Sequence, residues 1–348
     1  MAETVQTGQP RTPQIARAAR LVNAAEIAHD TEVRQSPNGV SFATFGETGL
    51  ADLDLDRMLE TVPTAITASL KANTYYFVPL ALREAVSEDP EAVSENPEAV
   101  AETPEPATQT ADQFLKGEAA AEPTMVASAY TDEFSDAAIC HRNVELGHGR
   151  RGVFISTRLM GDRFALSFEF FINVAHAFVD QAGTPEVFAD LVWKQALGSA
   201  RGETSGARGE TSIDAWETRN LAFGRPANAQ PEPTPSTSRR NRGMAGFSAR
   251  QRAFASNDNL TQLAAASAPL EAPTGINDKE RAAYIEAAFS DAVAIYLLSL
   301  ALDFDYSELR EREYPLLNPA ALAARLRIVA ELYPPNPGYE FAVKYRRR

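Results

Sequence analysis

The sequence predicts an α+β protein that is rich in helix, with a small antiparallel or mixed sheet and long disordered insertions. Apolar residues recur at helical spacing in several long stretches, and alternating or aromatic residues occur in shorter ones, which indicates both element types. Residues 85–105 read AVSEDPE, AVSENPE and AVAETPE, and residues 200–213 read ARGETSG and ARGETSI. Because solvated backbone tolerates an inserted copy at little entropic cost, both repeats are predicted to lie in linkers.

The repeats divide the 348 residues into three blocks. We expect one discontinuous α+β core made of residues 12–84, 124–198 and 276–348, whose strands share a sheet. Residues 85–123 would form an acidic disordered linker, and residues 199–270 a flexible linker rich in Gly, Ser, Pro and Arg. Two separate domains are the alternative. Within the second linker, residues 213–223 could form a short helix or a docking motif, since Trp216 and Phe223 stand out in a polar stretch.

Five elements are predicted in the first block. They are a helix over 13–29, a strand over 40–45, helices over 53–62 and 63–72, and a strand over 75–79. The first helix has apolar residues along one side, and Pro37-Asn38-Gly39 marks the turn before the first strand. Aromatic and β-branched residues favour the last strand.

The second block is the richest in aromatic residues. Alternation predicts a β-hairpin with strands over 153–159 and 164–172, joined at Gly161-Asp162. A helical interpretation of the second segment remains open. It would place Glu169, Asn173, His176 and Asp180 in one polar stripe, because they are spaced at i, i+4, i+7 and i+11. A helix over 185–197 follows.

The third block begins with a helix over 278–302, for which Asn277 and Glu280 resemble a capping box. This helix becomes apolar on nearly all sides, which is typical of a helix that is covered by its neighbours. A second helix is predicted over 319–333, and alternating residues over 339–345 predict a final strand.

Composition limits the classes of function. The net charge is −14, but residues 84–122 hold eleven acids and one base, a net charge of −10, so the rest carries about −4. The acidity therefore does not indicate an acidic binding face. Cys140 is the single cysteine, which excludes an intrachain disulfide and a Cys-rich metal site. No uninterrupted apolar run approaches the roughly 20 residues of a transmembrane helix, and a cytoplasmic protein is expected.

Candidate catalytic residues concentrate between positions 140 and 180. They are His141, Glu145, His148, Glu169 and His176. On a helix, His141 and Glu145 would lie one turn apart, so with His148 they are also the candidate metal ligands. Their spacing matches no metal motif of known mechanism, and no sequence pattern specifies a cofactor.

Two segments suggest anion or nucleic-acid binding. Residues 147–152, Gly-His-Gly-Arg-Arg-Gly, could hold an anion on backbone amides. The segment 239–254 combines arginines with two phenylalanines and contains no acid, which suits nucleic acid or an acidic partner. Its arginines are Arg239, Arg240, Arg242, Arg250 and Arg252.

These observations favour a non-enzymatic protein-binding or scaffold protein, with an ordered core and flexible charged arms, that works with a protein partner or within a larger assembly. One alternative is an enzyme, possibly metal-dependent, with a His/Glu site in 140–180. The other is nucleic-acid binding through residues 239–252.

Overall fold

A computed structural model describes residues 19–83, 124–203, 207–229, 275–309, 315–342 and 344. These residues form an α+β protein with two compact units. Unit 1 comprises the chain up to Glu60 and Leu70–Phe170, and unit 2 comprises Thr61–Ser69 and the chain from Phe171 onward. The linker predicted at 85–123 and the arginines between 239 and 252 lie outside the described residues.

Unit 1 contains all nine strands of the described residues. They are β1 (Leu21–Asn23), β2 (Arg34–Gln35), β3 (Ser41–Thr44), β4 (Asn73–Val78), β5 (Leu80–Leu82), β6 (Met125–Ala127), β7 (Ala138–Ile139), β8 (His141–Glu145) and β9 (Arg151–Ser156). The helices of this unit are α1 (Ala24–Asp30), α2 (Asp52–Glu60), α4 (Asp132–Ser135) and the first turns of α5 (Arg163–Ala182), whereas α3 (Thr64–Thr67) belongs to unit 2.

The larger sheet of unit 1 has five strands in the order β2-β3-β4-β9-β8. Strands β3, β4 and β9 are parallel, with Phe42 opposite Tyr75 and Phe77 opposite Ile155. Strands β2 and β8 pair antiparallel at the two edges. Because parallel strands end at the same edge of a sheet, the segments that follow β3 and β9 meet there.

Both faces of this sheet are covered. On one face, Phe170 of α5 packs edge-on against Tyr75, with ring centroids 5.1 Å apart. On the other face, Tyr76 and Phe154 stack at 4.6 Å and join a cluster with Ile27 of α1. The smaller sheet, in the order β1-β6-β5-β7, is antiparallel and contributes to the same cluster through β5 and β6.

The predicted β-hairpin is wrong in its second strand, because residues 164–172 belong to the 20-residue helix α5. The buried residues of α5 recur at helical spacing. They include Leu166, Phe170, Phe171, Val174 and Phe178. Alternating aromatic residues at 164–170 match both a strand and a helix over that short window. The helical period continues to Ala182, and this longer pattern matches the helix that forms.

The first helix also differs from the prediction, since its described part begins at Ala24 instead of Pro13. Residues 21–23 pair with β6, Val22 lying opposite Val126. The side chain of Asn23 then accepts a hydrogen bond from the backbone N–H of Ala25 at 2.8 Å and caps α1. Strand pairing and this cap together start the helix late.

Unit 2 holds the remaining long helices. They are the end of α5, α6 (Glu186–Ala200), α7 (Ile213–Ala222), α8 (Asp278–Ala301) and α9 (Pro319–Leu332). The cap predicted at Asn277 is confirmed, because its side-chain oxygen accepts from the N–H groups of Lys279 and Glu280. The predicted covering of α8 is confirmed as well, since every residue from 288 to 300 is buried.

Helix α8 is, among the described residues, the one helix long and apolar enough to cross a membrane. However, 83% of its apolar window is buried inside the protein, which is typical of a core helix. The described residues therefore contain no clear transmembrane segment.

The flexible linker predicted over 199–270 is ordered at residues 207–223, and the short helix considered for residues 213–223 forms as α7. Ala207 and Glu210 are fully buried, Thr211 is nearly so, and α7 follows them directly. Glu210 also forms a bridge with Leu316. This segment is ordered because it packs against α8 and α9, whose sequences lie far away along the chain.

The expected final strand over 339–345 is not found in its described part. Residues 339–342 have no regular structure, and Lys344 forms an isolated bridge with Asp305. The sheet expected to join all three blocks therefore lacks a contribution from the described residues of the third.

Candidate ligand-binding cleft

A cleft of about 530 Å³ lies in unit 1, where the segments after β3 and β9 meet the first turns of α5. Its volume is in the range of small-molecule sites. Its walls come from residues 48–58, from Tyr130 and from residues 157–167. The lining residues are Thr48, Gly49, Leu50, Ala51, Asp54, Leu55, Met58, Tyr130, Thr157, Arg158, Gly161, Asp162, Arg163, Leu166 and Ser167.

One hydroxyl joins the three parallel strands at the base of the cleft. Thr157 follows β9 directly, and its Oγ1 lies 2.8 Å from the carbonyl oxygen of Thr48 and 3.1 Å from that of Val78. Thr48 follows β3, and Val78 ends β4. Thr157 therefore fixes the loop after β3 to the end of β4.

Gly49 and Arg158 approach each other closely on the cleft wall. Gly49 has a φ of +71°, and a Cβ atom added to it would lie 2.3 Å from Nη1 of Arg158. The positive φ favours glycine at this position, and the guanidinium of the exposed Arg158 takes the space that a side chain here would fill. The Arg158 side chain makes no hydrogen bond or ion pair with any described residue.

The other charged groups of the cleft are already engaged. Asp162 caps α5, its Oδ1 accepting from the N–H of Ala165 at 2.8 Å. Arg163 lies 3.5 Å from the carboxylate of Asp54. Ser167 lines the cleft at 2% exposure, and its hydroxyl makes no hydrogen bond to a described residue.

Two of the predicted catalytic residues do come together. Nδ1 of His141, on β8, lies 2.5 Å from Oε1 of Glu169, on α5. The side chain of His141 is 38% exposed and that of Glu169 is 16% exposed. A carboxylate on Nδ1 orients the ring and leaves Nε2 for a second partner, which is an arrangement used in acid–base chemistry.

The other predicted residues do not join this pair. Glu145 is salt-bridged to Arg151 at 3.1 Å, and His148 lies in the β8–β9 turn with a φ of +53°. Since His141 and Glu145 lie on a strand and not on a helix, four residues separate them by roughly 13 Å. Among the described residues, no group of three or more His, Cys, Asp or Glu side chains could hold a metal ion, so the structure does not bring the candidate ligands His141, Glu145 and His148 together.

The remaining candidates take different positions. The segment 147–152 is the turn of the β8–β9 hairpin and the start of β9. His176 and Asp180 are exposed on α5 in unit 2, whereas Asn173 is buried. Cys140 is exposed. Partial desolvation of its thiol is the larger cause of a raised pKa, and the negative charge of Glu169 is the smaller one. A raised thiol pKa opposes a nucleophilic role.

Unit 2 contains a buried charged network that the sequence analysis missed. Glu210 accepts from the hydroxyl of Tyr284 at 2.6 Å and from Nη1 of Arg325 at 2.9 Å. Arg219 lies 3.3 Å from the same carboxylate. Nearby, Asp291 accepts from the hydroxyl of Thr211 at 2.6 Å, and burial raises its pKa to about 6. The three charged side chains of the network are at most 7% exposed, so it is a structural feature of the helix core.

No family model, no curated protein and no solved structure matches this chain. The candidate site is therefore defined by its own geometry. Its signal in the sequence was the pair of predicted strands over 40–45 and 153–159, each followed by polar and glycine residues.

Proposed function

We propose that this protein is a non-enzymatic binding protein and that the cleft of unit 1 is its binding site for a small molecule. The observation that supports this is the position of the cleft, at the carboxyl edge of the parallel strands β3, β4 and β9. Open sheets with parallel strands bind ligands at this edge, because the loops that follow adjacent strands leave a crevice there.

The composition of the walls supports a ligand with an apolar body. Leu50, Leu55, Met58 and Leu166 provide apolar surface, and Tyr130 is 41% exposed at the cleft. Polar and charged side chains, Arg158 and Ser167 among them, make up most of the rest of the lining. Small-molecule sites typically combine apolar walls with polar groups that fix the orientation of the ligand.

The test uses the five methionines of the chain as probes. Full-length protein with ¹³C-labelled methionine methyl groups is titrated with octanamide, octanoate and octylammonium, and the Met58 signal is assigned with Met58→Leu. We expect a saturable shift of the Met58 methyl with at least one compound. Met125, on β6 and outside the cleft lining, is the internal control and should not shift. No saturable Met58 shift with any compound would contradict the proposal.

An acid–base enzyme is a second candidate, and the contact between His141 and Glu169 favours it. The test is hydrolysis of p-nitrophenyl acetate, a substrate that activated imidazoles cleave. Loss of about 90% of the rate in both His141→Gln and Glu169→Gln, with His148→Gln unchanged, would support this candidate. Equal rates in all three variants would exclude it.

A protein partner or a larger assembly remains a proposal that rests on the two polar arms predicted from the sequence. A cytoplasmic location remains a proposal that rests on the single cysteine and on the length of the apolar runs. Nucleic-acid binding through Arg239–Arg252 also remains a prediction. It requires affinity that falls steeply with salt and that is lost when residues 239–252 are deleted.

A further inference from the structure

We propose that the cleft selects a ligand with an anionic head group, a carboxylate or a phosphate monoester, and that Arg158 is the residue that recognises it. This inference rests on the proposed function, because it concerns the same cleft. It depends on which polar side chains of the cleft already have a hydrogen bond or an ion pair and which have neither.

Four charged side chains line the cleft: Arg158, Arg163, Asp54 and Asp162. The carboxylate of Asp162 is engaged by the N–H of Ala165, and the charges of Asp54 and Arg163 offset each other at 3.5 Å. Of the four, Arg158 is the side chain that has neither a hydrogen bond nor an ion pair with a described residue. An anionic group on the ligand would give this guanidinium a partner, whereas a cationic group would have to compete with the cap of α5 for Asp162.

Arg158 is exposed, and its guanidinium lies on the cleft wall beside Gly49, where Nη1 takes the space that a Cβ atom of residue 49 would need. The planar donors of a guanidinium fit the oxygen atoms of a carboxylate or phosphate.

A second polar group faces the same cleft. Ser167 is 2% exposed, and its hydroxyl has no described hydrogen-bond partner. A hydroxyl on a cleft wall can donate a hydrogen bond to a ligand oxygen. Ser167 lies in the second turn of α5, whose positive N-terminal end also favours negative charge.

The apolar side chains of the cleft indicate what the rest of the ligand should be. Leu55, Met58 and Leu166 are at most 5% exposed and line the cleft beside the polar groups. We therefore expect an apolar body of a few carbon atoms attached to the anionic head.

The experiment compares octyl compounds that share a tail and differ in the head group. Octanoate, octyl phosphate, octanamide and octylammonium are titrated separately into the full-length protein, and the Met58 methyl shift gives each affinity. We expect at least one of the two anions to bind about tenfold more tightly than octanamide, since a hydrogen bond to a charged group is stronger than a neutral one. Octylammonium should bind most weakly, and the two anions together show which head group is preferred.

Two variants with the same change of charge make the test specific. Arg158→Gln should abolish the preference for the anion over octanamide. Arg150→Gln is the matched control, because Arg150 is exposed in the β8–β9 turn and does not line the cleft, and it should retain the preference. Equal affinities for anion and amide, or a preference that survives in Arg158→Gln, would overturn this inference and leave the proposed cleft in place. No saturable shift with any of the four compounds would overturn both.

Discussion

Glu203 and Glu210 occupy the same position in two successive copies of one heptapeptide, yet they lie in opposite environments. Glu203 is exposed and pairs with Arg201 at 2.7 Å within its own copy. Glu210 is fully buried and bonds to Tyr284 and Arg325, which are 74 and 115 residues away. The second copy packs because it precedes α7 and pairs with Leu316, and neither neighbour is shared by the first copy.

This difference predicts unequal effects of the same substitution. Glu210→Gln leaves Arg325 buried without its anionic partner, which should lower the free energy of unfolding by about 3–5 kcal/mol. Urea denaturation followed by circular dichroism measures this change. Glu203→Gln is the matched control, and its urea midpoint should stay at the wild-type value. Equal midpoints for the two variants would show that Glu210 does not hold a buried charge.

The glycines of the two copies allow a second comparison. Gly202 and Gly209 both have a positive φ, so an alanine strains either backbone by about 1–2 kcal/mol. A Cβ atom at Gly202 meets nothing within 4 Å, whereas one at Gly209 would lie 2.0 Å from the carbonyl oxygen of Pro315. Gly209→Ala should therefore reduce the thermal midpoint well below that of Gly202→Ala. Matching midpoints in differential scanning calorimetry would contradict the packing of this segment.

The buried carboxyl group of Asp291 should make the stability of the protein depend on pH. Burial raises its folded-state pKa from 3.8 to about 6, against the opposing effects of Thr211, Ser212 and His176, while Glu210 adds to the rise. A raised pKa contributes stability that is complete below pH 3.8 and is lost as the pH rises through 6. About two pKa units correspond to about 3 kcal/mol.

The measurement compares unfolding free energies of the wild type and Asp291→Asn at several pH values. The difference in unfolding free energy, variant minus wild type, should increase by about 3 kcal/mol from pH 4 to pH 7. The reason is that the wild type must ionise a buried carboxylate over this range and the variant has none. Asp190→Asn, an exposed change on α6, should give a curve parallel to the wild type. A parallel curve for Asp291→Asn would contradict the pKa assigned to this group.

The hydroxyl of Thr157 should determine how firmly the loop after β3 is held at the cleft. Thr157→Val keeps the shape of the side chain but removes the donor to Thr48 and Val78, which should cost about 1–3 kcal/mol. Thr157→Ser keeps the hydroxyl and is the control. Amide hydrogen exchange should increase in residues 45–50 in the valine variant and not in the serine variant. Unchanged exchange in both would show that this hydroxyl does not fix the loop after β3.

The sequence predicted most of the long helices and the three parallel strands, but not the short strands or how the elements assemble. Strands β3, β4 and β9, helix α2, and helices α8 and α9 follow from local periodicity and caps. The helical interpretation of α5 was the less favoured one because residues 164–172 also alternate. The hairpin that this alternation suggested gave no reason to expect a crevice between residues 48 and 167. Glu210 was missed because its environment depends on Tyr284 and Arg325, distant residues that no local pattern reveals.

The candidate catalytic residues were predicted only in part, because their positions depend on whether each segment is a helix or a strand. The contact between His141 and Glu169 forms because α5 is a helix beside β8, which was the less favoured interpretation of that segment. Glu145 and His148 separate from it because residues 141–145 form a strand. The cleft itself draws on three stretches of chain, and its residue types are common ones without a motif.

The most direct test of the central claim locates a bound ligand on the chain. An octanoate analogue with a photoreactive diazirine in its tail is irradiated with the full-length protein, and labelled peptides are identified by mass spectrometry. We expect labelling within residues 48–58 and 157–167 that is displaced by excess octanoate and reduced in Arg158→Gln. Labelling that is confined to other parts of the chain, or that excess octanoate does not displace, would contradict it.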